Sequence, residues 1–165
     1  MNFDEIKNLL TKKFGEGVIV EIENNGLQPA LQINPDSIVQ VCEELRDNKN
    51  TWFDFLSCLS GVDHGPEKNK FEIVYHLASI SHKQQLVLKT SRAHDRTSSQ
   101  LPSFQSVSNI WRTAEWHERE AYDLLGIYFE GHPDLRRILL PDDWEGYPLR
   151  KDYLAAEEYK GIKIN

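Results

Sequence analysis

The sequence predicts an α+β fold: a largely antiparallel sheet with helices packed on it, plus an extended C-terminal tail. In about the first ninety residues, helical and alternating hydrophobic patterns follow in the order helix, hairpin, helix and three strands, which favours antiparallel pairing. In the last third, prolines and glycines interrupt the chain too often for a long helix or a central strand. We therefore expect an α+β domain over residues 1–128 and a tail over residues 129–165.

The first helix is predicted between Phe3 and Phe14, where apolar residues recur three or four positions apart. Asn2 is a suitable N-cap and Gly15 a helix stop. A hairpin follows, because apolar residues alternate on both sides of the turn signal Asn25-Gly26. Pro29 precedes the return strand and predicts that this strand lies at a sheet edge.

A second helix is predicted after Asn34, its cap, and Pro35, its first residue. Cys42 lies on its apolar stripe and is predicted to be a small buried hydrophobe. Three strands complete the sheet. Trp52–Leu59 is nearly all apolar and is predicted to be central, whereas residues 71–77 and 86–88 alternate as half-buried strands do.

A third helix is predicted from its cap Thr113 to Leu125, with Gly126 just past its end. Its apolar stripe also carries Glu118, so a carboxylate stands where a core residue is expected. A buried carboxylate is costly unless it is paired and hydrogen-bonded. We therefore expect cationic partners for the helix carboxylates Glu118, Glu120 and Asp123, and the candidates are Arg136, Arg137 or another protein.

These carboxylates also raise a catalytic alternative, in which Glu118, Glu120 and Asp123 serve a free-standing hydrolase as an acid/base cluster. A zinc site of the two-histidine helical type is excluded, because its second histidine would have to stand at Ala121. An ion-pair network is the simpler interpretation of the cluster.

The composition excludes several classes of protein. With 19 basic and 26 acidic residues, the net charge of −7 argues against binding to nucleic acid by phosphate neutralisation. Two cysteines cannot supply a four-cysteine cluster or zinc site, and they suit a reducing compartment. No apolar run approaches the roughly 20 residues of a membrane span. We expect no metal, no cofactor and no direct membrane insertion.

The tail is too apolar for a solvated segment. Its spaced apolar residues are Ile138, Leu139, Leu140, Trp144, Tyr147, Leu149 and Tyr153. Aromatic and arginine anchors on an extended segment are typical of protein interfaces. The tail either wraps another protein or folds back on its own domain, and the residues alone leave both open.

Three runs of sequence resemble a known family. They are residues 118–127 (EREAYDLLGI), 132–141 (HPDLRRILLP) and 144–153 (WEGYPLRKDY), and residues 109–116 resemble the family's lead-in. The first two closely resemble the signature of the 30-kDa subunit family of respiratory complex I, the NADH:quinone oxidoreductase. Residues 1–100 resemble that family only in length and element order.

The resemblance implies a hydrophilic member of the peripheral arm, on the cytoplasmic face of the bacterial inner membrane. FMN, iron–sulfur clusters and quinone would be held by other subunits. The partners would be a separate chain of the 49-kDa class, which forms the quinone site, and the cluster-bearing subunits. A related membrane-bound hydrogenase, or a similar complex with another electron donor, is the alternative.

The resemblance also implies a network of signature and partner-binding residues without catalytic groups. Its members are Glu118, Arg119, Glu120, Asp123, His132, Arg136, Arg137, Trp144, Tyr147, Arg150 and Tyr153. We interpret the network as structural, with His132 as a minor candidate for a proton-active group.

Overall fold

A computed structural model of the chain describes residues 1–24 and 26–163. The helices are α1 (Phe3–Phe14), α2 (Ile38–Asp47) and α3 (Ala114–Leu125). The main strands are β1 (Ile19–Glu23), β2 (Ala30–Ile33), β3 (Phe55–Asp63), β4 (Lys70–Ser79) and β5 (Gln84–Ala93). The shorter strands are β6 (Ser103–Gln105), β7 (Tyr128–Glu130), β8 (Glu158–Tyr159) and β9 (Ile162–Lys163). The predicted α+β class is confirmed.

The five main strands form one sheet in the order β1-β2-β5-β4-β3. All neighbouring pairs are antiparallel except β2 and β5, which run parallel. The antiparallel pair β1–β2 is the predicted hairpin, although Asn25 of its turn signal lies outside the described residues. The turn between β4 and β5 lies where the alternating pattern stops, at residues 80–83.

Two predicted strand positions are wrong. The return strand β2 is not an edge strand, because it pairs with both β1 and β5. Pro29 precedes its first residue and so removes no hydrogen bond from the ladder. Conversely, the apolar strand β3 is at an edge of the sheet and not at its centre.

The edge position of β3 is compatible with its apolar sequence because α3 and the segment before it cover that edge. The Leu59 amide donates to His117 Nδ1 at 3.1 Å, and the Thr113 hydroxyl donates to the Leu56 carbonyl at 3.3 Å. Gly61 lies so close to α3 that an added Cβ would come within 2.7 Å of Leu125 Cδ1. The helix therefore takes the place of a further strand.

The core lies between the helices and one face of the sheet. Buried Ile6 and Leu10 of α1 and Val41 and Leu45 of α2 belong to the same cluster as the inward-facing residues of β4, such as Tyr75. Both predicted helices thus use their apolar stripes as expected. Cys42 is fully buried as predicted, and this burial raises the pKa of its thiol.

The helix ends follow the local sequence. The Asn2 side chain accepts from the Glu5 amide at 2.8 Å, and Glu5 reciprocates on the Asn2 amide, which completes a capping box. The Asn34 and Pro35 signal starts a 3₁₀ turn over Pro35–Ser37, and α2 begins at Ile38.

Candidate functional site

The site is built on α3 and on the tail that follows it. Gly126 ends the helix in the left-handed conformation at φ +64°, and its amide donates to the Tyr122 carbonyl at 2.8 Å. The predicted cap is only partly right. Thr113 precedes the helix, but its hydroxyl bonds to Leu56 of β3 and not to the helix.

Glu118 points into the core and is fully buried. Its carboxylate accepts from the Ser106 hydroxyl at 2.6 Å and the Val107 amide at 2.8 Å. Burial raises the pKa of Glu118 to about 7, although these two hydrogen bonds favour the ionised form. The expected cationic partner is wrong. Within the described residues no ion pair involves Glu118, and neutral donors satisfy it instead.

The two residues after Glu118 point elsewhere. Glu120 is exposed, so it needs no cationic partner, and it forms no ion pair with any described residue. Arg119 lies along the outside of the helix and donates to the carbonyls of Arg136 at 3.1 Å and Arg137 at 2.9 Å. Arg119 therefore ties α3 to the beginning of the tail.

Asp123 is the second buried carboxylate of the helix, and it holds the tail directly. Its Oδ2 accepts from three successive amides, those of Ile138 at 3.0 Å, Leu139 at 2.7 Å and Leu140 at 2.9 Å. Its Oδ1 pairs with Arg137 Nη1 at 2.7 Å. Burial alone would raise the pKa of Asp123, but these donors hold that pKa below its usual value.

The two tail arginines have different environments. Arg137 donates to Asp123 and also to the carbonyls of Trp144 at 3.0 Å and Gly146 at 3.2 Å. The Arg136 side chain is 70% exposed and pairs only with Asp134, at 2.8 Å. Of the two predicted partners for the helix carboxylates, Arg137 is confirmed for Asp123, and Arg136 is wrong.

His132 links the turn after β7 to the first turn of α3. One ring nitrogen, Nε2, lies 3.0 Å from the Glu115 carbonyl, and the other, Nδ1, accepts from the Asp134 amide at 3.0 Å. Both nitrogens are engaged by backbone groups, which suits a positioning role for this residue.

The middle of the tail folds back on the end of α3. The ring of Tyr147 packs against Gly126, where an added Cβ would lie 2.5 Å from Tyr147 Cε2. Arg150 donates to the Leu125 carbonyl at 2.7 Å and the Gly126 carbonyl at 3.2 Å. Its guanidinium also lies 4.8 Å from the centre of the Tyr147 ring.

With this geometry known, the chain can be compared with other proteins. A family model described as "Respiratory-chain NADH dehydrogenase, 30 Kd subunit" matches residues 31–159. The chain belongs to this family. The resemblance predicted from the signature runs is therefore confirmed.

Relatives named as the corresponding subunit of NADH-quinone oxidoreductase are 39–45% identical to this 30-kDa-family chain. The protein of Chloroherpeton thalassium is 45% identical over 94% of this chain and 62% of its own length. That of Chlorobium phaeobacteroides is 41% identical over 95% of this chain and 92% of its own. That of Salinispora tropica is 39% identical over 98% and 66%. The chain thus spans less than two thirds of two of these relatives.

A solved structure shares the fold of this 30-kDa-family chain. It is titled as the membrane-bound sulfane sulfur reductase, an archaeal respiratory membrane complex, and matches with a TM-score of 0.71 and 25% identity. The match covers 91% of this chain and 84% of the other. Separately, none of the helices in the part of the chain that the structure describes combines the length and apolar character needed to span a bilayer.

The structure adds anchors of the family chain that its sequence did not reveal. Buried Asp63, at the end of β3, accepts from the Lys151 amide at 2.9 Å and pairs with Arg96. Arg96 also pairs with Asp152 of the tail at 2.9 Å. The one local signal was an acidic residue closing an apolar strand two positions before a glycine, since the Gly65 amide donates to Asp63 at 2.8 Å.

The last predicted site residues stand at the outer end of the tail. The ring of Trp144 lies 5.4 Å, centroid to centroid, from that of Tyr159. Tyr153 packs on Gly146, where an added Cβ would lie 3.0 Å from its ring. Of the two alternatives for the tail, folding back on its own domain is observed as far as Asp152.

The three helix carboxylates do not form one acid/base site. Glu118 faces residues 106–107, Asp123 faces residues 138–140, and Glu120 faces solvent. The two buried carboxylates already accept hydrogen bonds from several protein donors. The described residues also hold no group of three or more histidine, cysteine or acidic side chains placed to bind a metal ion. The arrangement is suited to positioning the tail and not to hydrolysis.

Proposed function

We propose that the chain is a cofactor-free peripheral-arm subunit of a proton-pumping NADH:quinone oxidoreductase. In this role it braces the quinone-site and iron–sulfur subunits while electrons pass from NADH to quinone. FMN, the clusters and the quinone belong to other subunits. Membership of the 30-kDa family is the observation that carries the proposal.

A bracing role needs a rigid body that presents an extended segment, and the anchors of the tail support this. We propose residues 1–128 as the body and residues 129–165 as the partner-binding tail. Asp123 and Asp63 are both buried, and they hold the tail at residues 137–140 and at residue 151. Because these anchors are preorganised, less conformational entropy is lost when the tail meets a partner.

Within this proposal the signature residues have two tasks. Those turned inward position the tail; they are Glu118, Arg119, Asp123, His132, Arg137, Tyr147 and Arg150. Those turned outward, Glu120, Arg136, Trp144 and Tyr153, are left for the partners. Exposed Leu139, Leu149 and Leu154 supply apolar contact area beside them.

We further propose that the principal partner is a separate chain of the 49-kDa class, together with the cluster-bearing subunits. The chain would then reside at the cytoplasmic face of the bacterial inner membrane through these partners and without inserting into the lipid.

The test is purification of the affinity-tagged full chain from detergent-solubilised membranes. The expected result is recovery of the other peripheral-arm subunits together with NADH:quinone reductase activity. A second chain truncated after Asp152 keeps the Asp63 and Asp123 anchors, and it should recover substantially less of the complex. Recovery of the tagged chain alone would contradict the proposed function.

The shared fold with the sulfane sulfur reductase complex favours one second candidate, an equivalent subunit of a related membrane complex with another electron donor. The same purification decides between the two. Co-purifying subunits and reductase activity with NADH support the first candidate, whereas activity with another donor and none with NADH supports the second.

A further inference from the structure

A cavity of about 290 Å³ lies in the outer part of the tail, between the loop at residues 143–146 and the β8–β9 hairpin. Aromatic rings and carboxylates share its lining. The rings are those of Trp144, Tyr153 and Tyr159, and the carboxylates are those of Asp143, Glu145 and Glu158. The cavity therefore combines an electron-rich aromatic surface with acidic groups.

The carboxylates of the cavity outnumber its cations. Lys160 is the one basic residue in the lining, and its Nζ lies 3.1 Å from Asp143 Oδ2. Asp143 also accepts from the Tyr159 hydroxyl at 2.8 Å, so its hydrogen-bonding capacity is largely used. Glu145 and Glu158 are exposed and form no ion pair with any described residue. This excess of negative charge disfavours anionic ligands such as nucleotides and favours a cation.

The indole of Trp144 adds an independent observation. Its Nε1 is buried and has no hydrogen-bond acceptor within the described part of the chain. A buried donor without an acceptor is unfavourable and is uncommon in native proteins. The backbone carbonyl of a polypeptide segment seated beside the indole would supply the missing acceptor.

One wall of the cavity is anchored to the body of the protein. Arg137 donates to the carbonyls of Trp144 and Gly146 while it pairs with buried Asp123. Gly146 has φ +77°, which lets the loop approach the ring of Tyr153. The wall is therefore held in place before any ligand arrives, which favours binding.

We propose that this cavity binds a lysine or arginine side chain from an extended segment of a neighbouring subunit. The cationic group would lie against the aromatic rings and pair with Glu145 and Glu158. A backbone carbonyl of the same segment would accept from Trp144 Nε1. This inference rests on the proposed function, because it requires that the chain is assembled with other subunits.

The experiment compares tagged full-length chains purified from membranes. The cavity variant is Glu145→Lys with Glu158→Lys. The matched control is Glu67→Lys with Glu157→Lys, which changes the charge equally at exposed positions outside the lining. We expect about a tenfold loss of co-purified subunits in the cavity variant and less than about twofold in the control. Equal recovery by both variants would overturn the inference.

The conservative pair Glu145→Gln with Glu158→Gln guards against misfolding. It removes the charge without adding a cation, so the free chain should melt like the parent while recovery of the other subunits still falls. Parent-like recovery by this pair would also overturn the inference, as would capture of a second copy of the chain in place of other subunits. If the parent itself recovers no other subunit, the proposed function fails first.

Discussion

Asp123 and Arg137 form an ion pair of 2.7 Å between the last turn of α3 and the tail, and the Asp123 side chain is completely buried. The other carboxylate oxygen accepts from the amides of residues 138–140. A single side chain thus fixes the path of four consecutive tail residues. Because Arg137 in turn holds the carbonyls of Trp144 and Gly146, the pair also sets where the outer tail begins.

Replacing Asp123 by asparagine should therefore loosen the tail. The Asp123→Asn change keeps the shape but leaves Arg137 without its counter-ion and weakens the acceptor for three amides. We expect the free energy of unfolding to fall by about 3 kcal/mol, as is typical when one partner of a buried pair is removed. Urea titration of the purified chain measures it. Asp134→Asn, at an exposed pair, is the control, and equal midpoints for the two variants would contradict the role assigned to Asp123.

The adjacent arginines provide a second comparison. Arg137→Ala leaves a buried carboxylate without its cation, and we expect a loss of about 2–3 kcal/mol in the free energy of unfolding. Arg136→Ala removes only an exposed pair with Asp134, so the unfolding curve should be unchanged within error. Differential scanning calorimetry of both variants checks this. A larger effect at Arg136 than at Arg137 would refute the assignment.

Glu118 predicts an unusual pH dependence. Burial raises its pKa from an ordinary value of about 4.5 to about 7, so the folded state binds its proton more tightly than the unfolded state. The resulting stability is fully present below about pH 4.5 and is lost as the pH rises through 7, with a total on the order of 3 kcal/mol. Carboxylates with lowered pKa values, such as Asp123, act in the opposite direction.

The Glu118→Gln variant isolates this contribution. Glutamine has nearly the same shape and retains a carbonyl oxygen that can accept from Val107, but it does not titrate. The difference in the free energy of unfolding between parent and variant should therefore change between pH 4.5 and pH 8, with the variant gaining relative to the parent. A difference that stays constant over this range would show that Glu118 ionises normally in the folded chain.

Local sequence signals were sufficient for much of the fold. The capping box at Asn2, the left-handed Gly126 and the alternation of β4 and β5 are all properties of neighbouring residues, so a pattern reveals them. The position of a strand within the sheet is not local. An apolar edge strand such as β3 resembles a central one, because the helix that covers it is more than fifty residues away in the chain.

The site shows the same division. A carboxylate on an apolar stripe correctly indicated that Glu118 is buried, yet no spacing rule could show that Ser106 and Val107 satisfy it. Asp63 was missed because its partners Arg96 and Lys151 lie 33 and 88 residues further along the chain. Partners of this kind are brought together only by the tertiary fold.

The contact of Gly126 with Tyr147 yields the last prediction. Gly126 has φ +64° and its Cα lies against the tyrosine ring, so Gly126→Ala combines backbone strain with a clash. Gly131→Ala is the matched control, since Gly131 has φ +82° and open space where the Cβ would be. We expect a loss of about 1 kcal/mol at Gly131 and about 2–4 kcal/mol at Gly126, measured by urea unfolding. Removing the ring in the Tyr147→Ala background should reduce the Gly126→Ala cost to that of the control. A cost that is the same with and without the ring would mean that the tail does not pack here in solution.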